Sequence, residues 1–229
     1  MKSASIGIEL VGVAMAVSVL FAGAQAPATG QSGMYQGSPK AGQQGQLGSA
    51  LHQRAMASGG KLSEAKDADS ADLAGDLPSL AARSDEVLLV HSLTAYGGVS
   101  TSGDGVQTQY DVQILRSWKG THKAGDVVRV SVSAGGLLFP DGVQAGMRVN
   151  GFSRLRDGGR YILFLHSSTA GGQSSPTFTL VGSGVQGAFL LDNEKVMPVY
   201  GLGALSKAYS KYDVSAFLAE LNGLIPEQR

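Results

Sequence analysis

Residues 110–120 read YDVQILRSWKG, and residues 159–165 read GRYILFL. In the first stretch Tyr110, Val112 and Ile114 alternate with Asp111 and Gln113, the period of a half-buried strand. Leu115 breaks that alternation before Trp118, which predicts a bulge. In the second stretch the apolar run at 161–165 does not alternate, so both of its faces must be covered, as in a central strand. Residues 86–93, EVLLVHSL, read the same way.

Around these runs lie shorter strands. Val128, Val130 and Val132 alternate with Arg129 and Ser131, and Gly135-Gly136 ends that strand. Met147 and Val149 fit a short strand in the irregular stretch 137–151. Residues 178–181, 188–191 and 196–200 add three more, with Asp192-Asn193-Glu194 as a hairpin turn. Residues 97–105, GGVSTSGDG, read as a loop, and residues 77–83 as a short helical turn. At the C-terminus Asp213 suits a helix cap, and Val214, Phe217, Leu218 and Leu221 share one face. Gly223 suits the position just past that helix, and Pro226 blocks its continuation. The expected fold is mainly β: a small OB-like barrel over residues 77–229 with a C-terminal helix at 213–223, or a sandwich if the 137–156 stretch pairs differently.

The order of these features resembles the netrin-like, or tissue-inhibitor-of-metalloproteinase-like, variant of the OB-fold. The resemblance rests on residues 84–93 as the entering strand, residues 110–120 with their WKG ending, the valine-rich strand at 127–132, and GRYILFL at 159–165. Uncharacterised bacterial secreted domains share this pattern and end in a glycine-rich segment and a helix, matched here by 182–189 and 213–221. The resemblance implies a barrel. It does not carry over the inhibitors' zinc chelation, which uses an N-terminal cysteine, because the chain contains no cysteine.

The N-terminus differs in kind. Lys2 precedes an apolar run at residues 10–22, and Ala24-Gln25-Ala26 gives the small-x-small pattern of signal-peptidase cleavage. That run spans about 20 Å as a helix, short of a ~30 Å hydrocarbon core, so it reads as a signal peptide (residues 1–26) rather than an anchor. The chain is then expected to be exported, to the periplasm or beyond the cell, with no membrane span in the mature protein. Residues 27–60 lack Val, Ile, Phe, Trp and acids, while residues 61–76 hold five acids and two lysines. The whole of 27–76 reads as a disordered linker rich in Gly, Gln, Ser and Ala, with a transient helix near 62–74. Thirteen of the fifteen aromatics follow residue 76.

Composition narrows the function classes. Zero cysteines exclude a disulfide framework, a thiolate zinc site and a cysteine nucleophile. Eighteen basic and eighteen acidic residues give no net charge, so nothing draws in nucleic acid. The 33 glycines are about twice the average share and follow no collagen period.

Local motifs are weak. Gly182-Ser183-Gly184-Val185-Gln186-Gly187 fits GxGxxG, but no βαβ unit surrounds it, so it reads as a turn. Residues 67–72, DADSAD, lack the glycine and the bidentate glutamate of a calcium loop. Arg148, Arg154, Arg156 and Arg160 form a basic group around a glycine-rich loop, read either as anion-binding or as solvated turn charges. Of the histidines, His52 falls in the linker and His122 after WKG; His91 and His166 sit late in two central strands, read either as a pair for a metal or hydrolytic site or as satisfied side chains. No HExxH, GxSxG, SxxK or Walker pattern is present.

The leading expectation is an exported, non-enzymatic module that binds a protein or glycan through exposed aromatics, with Tyr96, Trp118 and Phe139 as the candidate surface and no catalytic residue, cofactor or metal. Trp118, the sole tryptophan, at a strand end, reads more readily as buried against the barrel or the C-terminal helix. The alternatives are an envelope hydrolase or metal-dependent enzyme using the strand histidines, and a structural part of a surface assembly. Neither the partner nor the oligomeric state is fixed by the sequence.

Overall fold

The structure, a computed structural model, describes residues 47–168 and 177–225. The expected signal peptide, its cleavage residues Ala24 and Ala26, residues 27–46 and the helix-blocking Pro226 lie outside the described residues.

In chain order the elements are α1 (Ala50–Ala57), β1 (Lys61–Lys66), a 3-10 turn (Ser70–Asp72), α2 (Leu77–Arg83), β2 (Glu86–Val99), β3 (Val106–Lys119), β4 (Val127–Val132), β5 (Gly135–Leu138), β6 (Gln144–Val149), β7 (Arg160–Ser168), β8 (Thr177–Leu180), β9 (Ala188–Asp192), β10 (Lys195–Pro198), α3 (Ala204–Tyr209), β11 (Tyr212–Asp213) and α4 (Val214–Leu224). The fold is mainly β with a C-terminal helix.

The large sheet has the order β11-β10-β9-β7-β2-β3-β4-β8, and β8 also pairs with β7. β2, β3 and β4 are an antiparallel meander. β8 runs parallel to β4 and antiparallel to β7, and β7 runs antiparallel to β2. The pairings β7–β2–β3–β4–β8–β7 therefore form a circuit. A second sheet, β1-β6-β5, has β1 parallel to β6.

The two unbroken apolar runs do have both faces covered. Leu88 and Val90 of β2 and Tyr161, Leu163 and Leu165 of β7 enter one core with Tyr110, Val112, Val130 and Phe178. Val87, Ile162 and Phe164 enter a second core, under α2, α3 and α4, with Trp118, Phe189 and Phe217. Burying one such large apolar side chain contributes about 1.5–3 kcal/mol.

The bulge expected at Leu115 is present: Ile114 pairs with Val90 and Arg116 with Leu89, leaving Leu115 unmatched. This shifts the phase of β3, so Ile114 sits in the first core and Trp118 in the second. Trp118 and Leu93 are likewise passed over in the β2–β3 register.

Two sequence expectations are corrected. The linker does not extend to residue 76, because residues 47–76 form α1, β1 and the 3-10 turn. The expected transient helix at 62–74 is a strand followed by that turn. Leu51, Ala55 and Ala74 supply little apolar area, but all three are buried against surface the rest of the chain provides. Polar stitches add to this. Asn150 Nδ2 donates to Asp67 Oδ1 at 2.8 Å, and the Asp69 N–H donates to Ser183 Oγ at 3.0 Å. Tertiary contacts thus order a segment whose composition alone would not.

The loop expected at 97–105 begins only after Val99. Gly97 and Gly98 stay in the β2–β3 ladder, opposite Thr108 and Gln107. A Cβ on Gly97 would lie 2.6 Å from the Gly136 carbonyl oxygen, so glycine here lets β5 approach β2.

The C-terminal helix forms as expected. Asp213 caps it through bonds from the Ala216 and Ser215 N–H groups at 3.1 and 2.8 Å, which hold its carboxyl below the usual range. Gly223 lies inside α4 rather than beyond it.

Candidate functional site

The three aromatics expected to form a binding surface are not together at the surface. Trp118 is 1% exposed, and its Nε1–H donates to Asn222 Oδ1 of α4 at 2.7 Å. Phe139 is 2% exposed, in a third core formed by α1, β5 and β6, with its ring 4.8 Å from that of His52. The bulge turns Trp118 to the side that α4 covers, and α1, which the sequence does not announce, covers Phe139. Only Tyr96 is accessible, half-buried on β2.

The histidine pair does not form either. β2 and β7 are antiparallel and His91 pairs with Arg160, so His166 lies six residues further along β7. At ~3.4 Å per residue that is about 20 Å. Residues late in two antiparallel neighbours sit at opposite ends.

Three of the four histidines instead meet carboxylates. His52 Nε2 donates to Asp141 Oδ2 at 2.7 Å while its Nδ1 accepts from the Gly48 N–H at 3.1 Å, which places the proton on Nε2. His122 Nδ1 lies 3.0 Å from Glu86 Oε1, and His166 Nδ1 lies 2.9 Å from Asp85 Oδ2. Among the described residues no three His, Asp or Glu side chains converge as a metal site would need. No helix among them is long and apolar enough to cross a membrane.

The GxGxxG stretch is a turn. Gly182, Ser183 and Gly184 all have positive φ, at 72°, 52° and 72°. The arginine group is dispersed. Arg148 pairs in register with Ala65 in the small sheet, Arg154 and Arg156 lie on the loop before β7, and Arg160 opposes His91.

Two surfaces remain as candidates. The first is the outer side of β2, β3 and β4. The helices cover one end of this side, where Val87 of β2 and Trp118 of β3 lie in the second core and Trp118 bonds α4, but the rows from His91 onward contribute no residue to that core. Register places Arg160, His91, Gln113 and Val127 in one row across this side. Thr94, Asp111, Arg129 and Thr177 form the next row, and Tyr96, Gln109, Ser131 and Thr179 the third. Arg129 Nε donates to Asp111 Oδ1 at 2.8 Å and its second nitrogen to Oδ2 at 3.3 Å. This bidentate pair raises the Arg129 pKa and fixes the guanidinium on the sheet.

The second is a cleft of about 160 Å3 on the inner side of β2 and β3. Ala95, Gly97, Thr108, Tyr110 and Leu155 line it, with Arg154 and Asp157 also in its wall. Burial pushes the Tyr110 hydroxyl up to about 12, while the Arg154 charge and a hydrogen bond with the Leu155 backbone oppose that shift. The sequence singles out Tyr96, His91 and Arg160 of the first surface and Arg154 of the second, but not the surfaces themselves, which depend on which strands pair.

No known family's sequence model matches the chain, and no curated protein matches it.

Proposed function

We propose that this chain is an exported, non-enzymatic binding module, an OB-like barrel of the netrin-like kind that recognises a glycan on the outer side of β2, β3 and β4. The β7–β2–β3–β4–β8 circuit supports the barrel reading, since it is a five-stranded path of the Greek-key type. The leader-like sequence at residues 1–26 supports export.

The observation that carries the glycan reading is the chemistry of these three rows, none of whose residues belongs to the core under the helices. Gln109, Gln113, Thr94 and His91 are half-buried, so they present donors and acceptors at a rigid surface. Tyr96 offers a ring, and the Arg129–Asp111 pair offers a fixed charge-assisted group. A protein partner would call for contiguous apolar area. Here the exposed apolar side chains are Leu93 and Leu115, each at a bulge, and Val127, at the start of β4.

The test is a binding titration of the full chain against soluble peptidoglycan fragments and neutral and acidic oligosaccharides. A responding glycan should lose about tenfold or more in affinity with Tyr96→Ala and with Arg129→Ala, the size of one lost ring contact or charged hydrogen bond. Unchanged binding in both variants, or no binding to any glycan, overturns the reading.

A further inference from the structure

The inner cleft has a chemistry of its own. We propose that it binds a small zwitterion of the size of a free amino acid.

Size sets the first limit. A cavity of about 150 Å3 takes benzene, so a cleft of about 160 Å3 accommodates roughly six to eight non-hydrogen atoms. That excludes a disaccharide and suits glycine, alanine or valine.

Charge sets the second. Arg154 and Asp157 are both exposed, both line the cleft and stand three residues apart on one loop. A simple anion would gain Arg154 and be repelled by Asp157, and a simple cation would meet the reverse. Only a ligand carrying both charges a few ångströms apart gains from each, a carboxylate on the guanidinium and an ammonium on the carboxylate.

The loop is also held in place before any ligand arrives. Gly158 N–H donates to the Ser92 carbonyl at 2.8 Å, and Ser92 N–H donates to the Gly159 carbonyl at 2.9 Å. Arg156 N–H donates to the Tyr161 hydroxyl at 2.6 Å, and Gly159 N–H to the Arg156 carbonyl at 3.0 Å. Asp157 therefore sits on a turn tied to both β2 and β7, which lowers the entropy lost on binding.

The floor is equally fixed. Thr108 Oγ1 donates to the Ala134 carbonyl at 2.6 Å, and Tyr110 stays a neutral hydroxyl at any ordinary pH. Ala95, Leu155 and the bare Gly97 and Gly136 backbones leave room for a short aliphatic side chain.

Ala95 and Gly97 line this cleft while Tyr96 alternates to the outer side, so this proposal and the glycan reading fail separately. The experiment is calorimetric titration of the full chain with glycine, L-alanine, D-alanine and L-valine, each set against propionate and ethylamine. At least one amino acid should bind saturably and about tenfold or more tighter than either single-charge probe. Arg154→Gln and Asp157→Asn, both at exposed positions, should each cut that binding about tenfold with the thermal midpoint unchanged. Equal weak response to all probes, no saturable binding, or binding that survives both substitutions overturns the proposal.

Discussion

The side-chain amide of Gln186 bonds both backbone groups of Ala74, accepting from its N–H at 2.7 Å and donating to its carbonyl at 3.0 Å. A side chain here copies a strand bridge between segments 112 residues apart. Both residues are buried, so neither backbone group can turn to water instead.

Gln186→Leu should therefore cost about 2–4 kcal/mol, because two buried backbone groups lose their partner at once. Urea unfolding measures this, and amide exchange should show residues 67–74 opening first. A loss below about 0.5 kcal/mol would mean that the stitch contributes little to holding the segment.

Asn222 Oδ1 joins α4 to β3 by accepting from Trp118 Nε1–H at 2.7 Å and from Arg116 Nη2 at 3.1 Å. Trp118→Phe keeps most of the buried ring but removes the donor, and should cost about 1–3 kcal/mol. In a double-mutant cycle, Asn222→Leu should cost much less on top of Trp118→Phe than in the wild type. Additive losses would show that the bond is not the coupling.

At Gly120 the φ is 111°, and a Cβ would overlap the buried Glu86 carboxylate. That carboxylate accepts from the Thr121 N–H at 3.0 Å and meets His122 Nδ1 at 3.0 Å, so it is not free to move aside. Gly120→Ala should destabilise by at least about 2 kcal/mol, through backbone strain and overlap together. Thermal unfolding reads the loss, and an unchanged midpoint would contradict the packing.

The hydrogen bond from His52 holds the Asp141 carboxyl below the usual aspartate range. A carboxyl lowered on folding adds stability above its unfolded value of about 3.9, and that stability is lost as pH falls through the folded value. The stability gap between wild type and Asp141→Asn should thus be constant near neutrality and close under acid. Denaturant midpoints across that range check it. A gap that persists in strong acid would point to packing by Asp141 instead.

Much of the sheet is legible in the chain because period two and unbroken apolar runs survive there. The 86–93 and 161–165 runs read as central strands, Leu115 breaks the alternation at the bulge, and Asp213 marks the start of α4. What is not legible depends on distant partners. Residues 50–57 hold only two large apolar side chains, Leu51 and Met56, too few to announce α1, and β1 is ordered by lying on β6. Phe139 reads as a surface aromatic until α1 buries it, whereas Trp118 lies where its alternative reading puts it, under the C-terminal helix. His91 and His166 read as neighbours only because strand direction is invisible in sequence. The outer polar rows follow from register, which local pattern does not set.

The most direct test of the glycan reading is amide chemical-shift mapping on the full chain during titration with a soluble envelope glycan. Saturable shifts are expected at Tyr96, Gln109, Asp111 and Arg129, with α2, α3 and α4 undisturbed. Shifts confined to those helices, or no saturable shift on β2, β3 and β4, would contradict it.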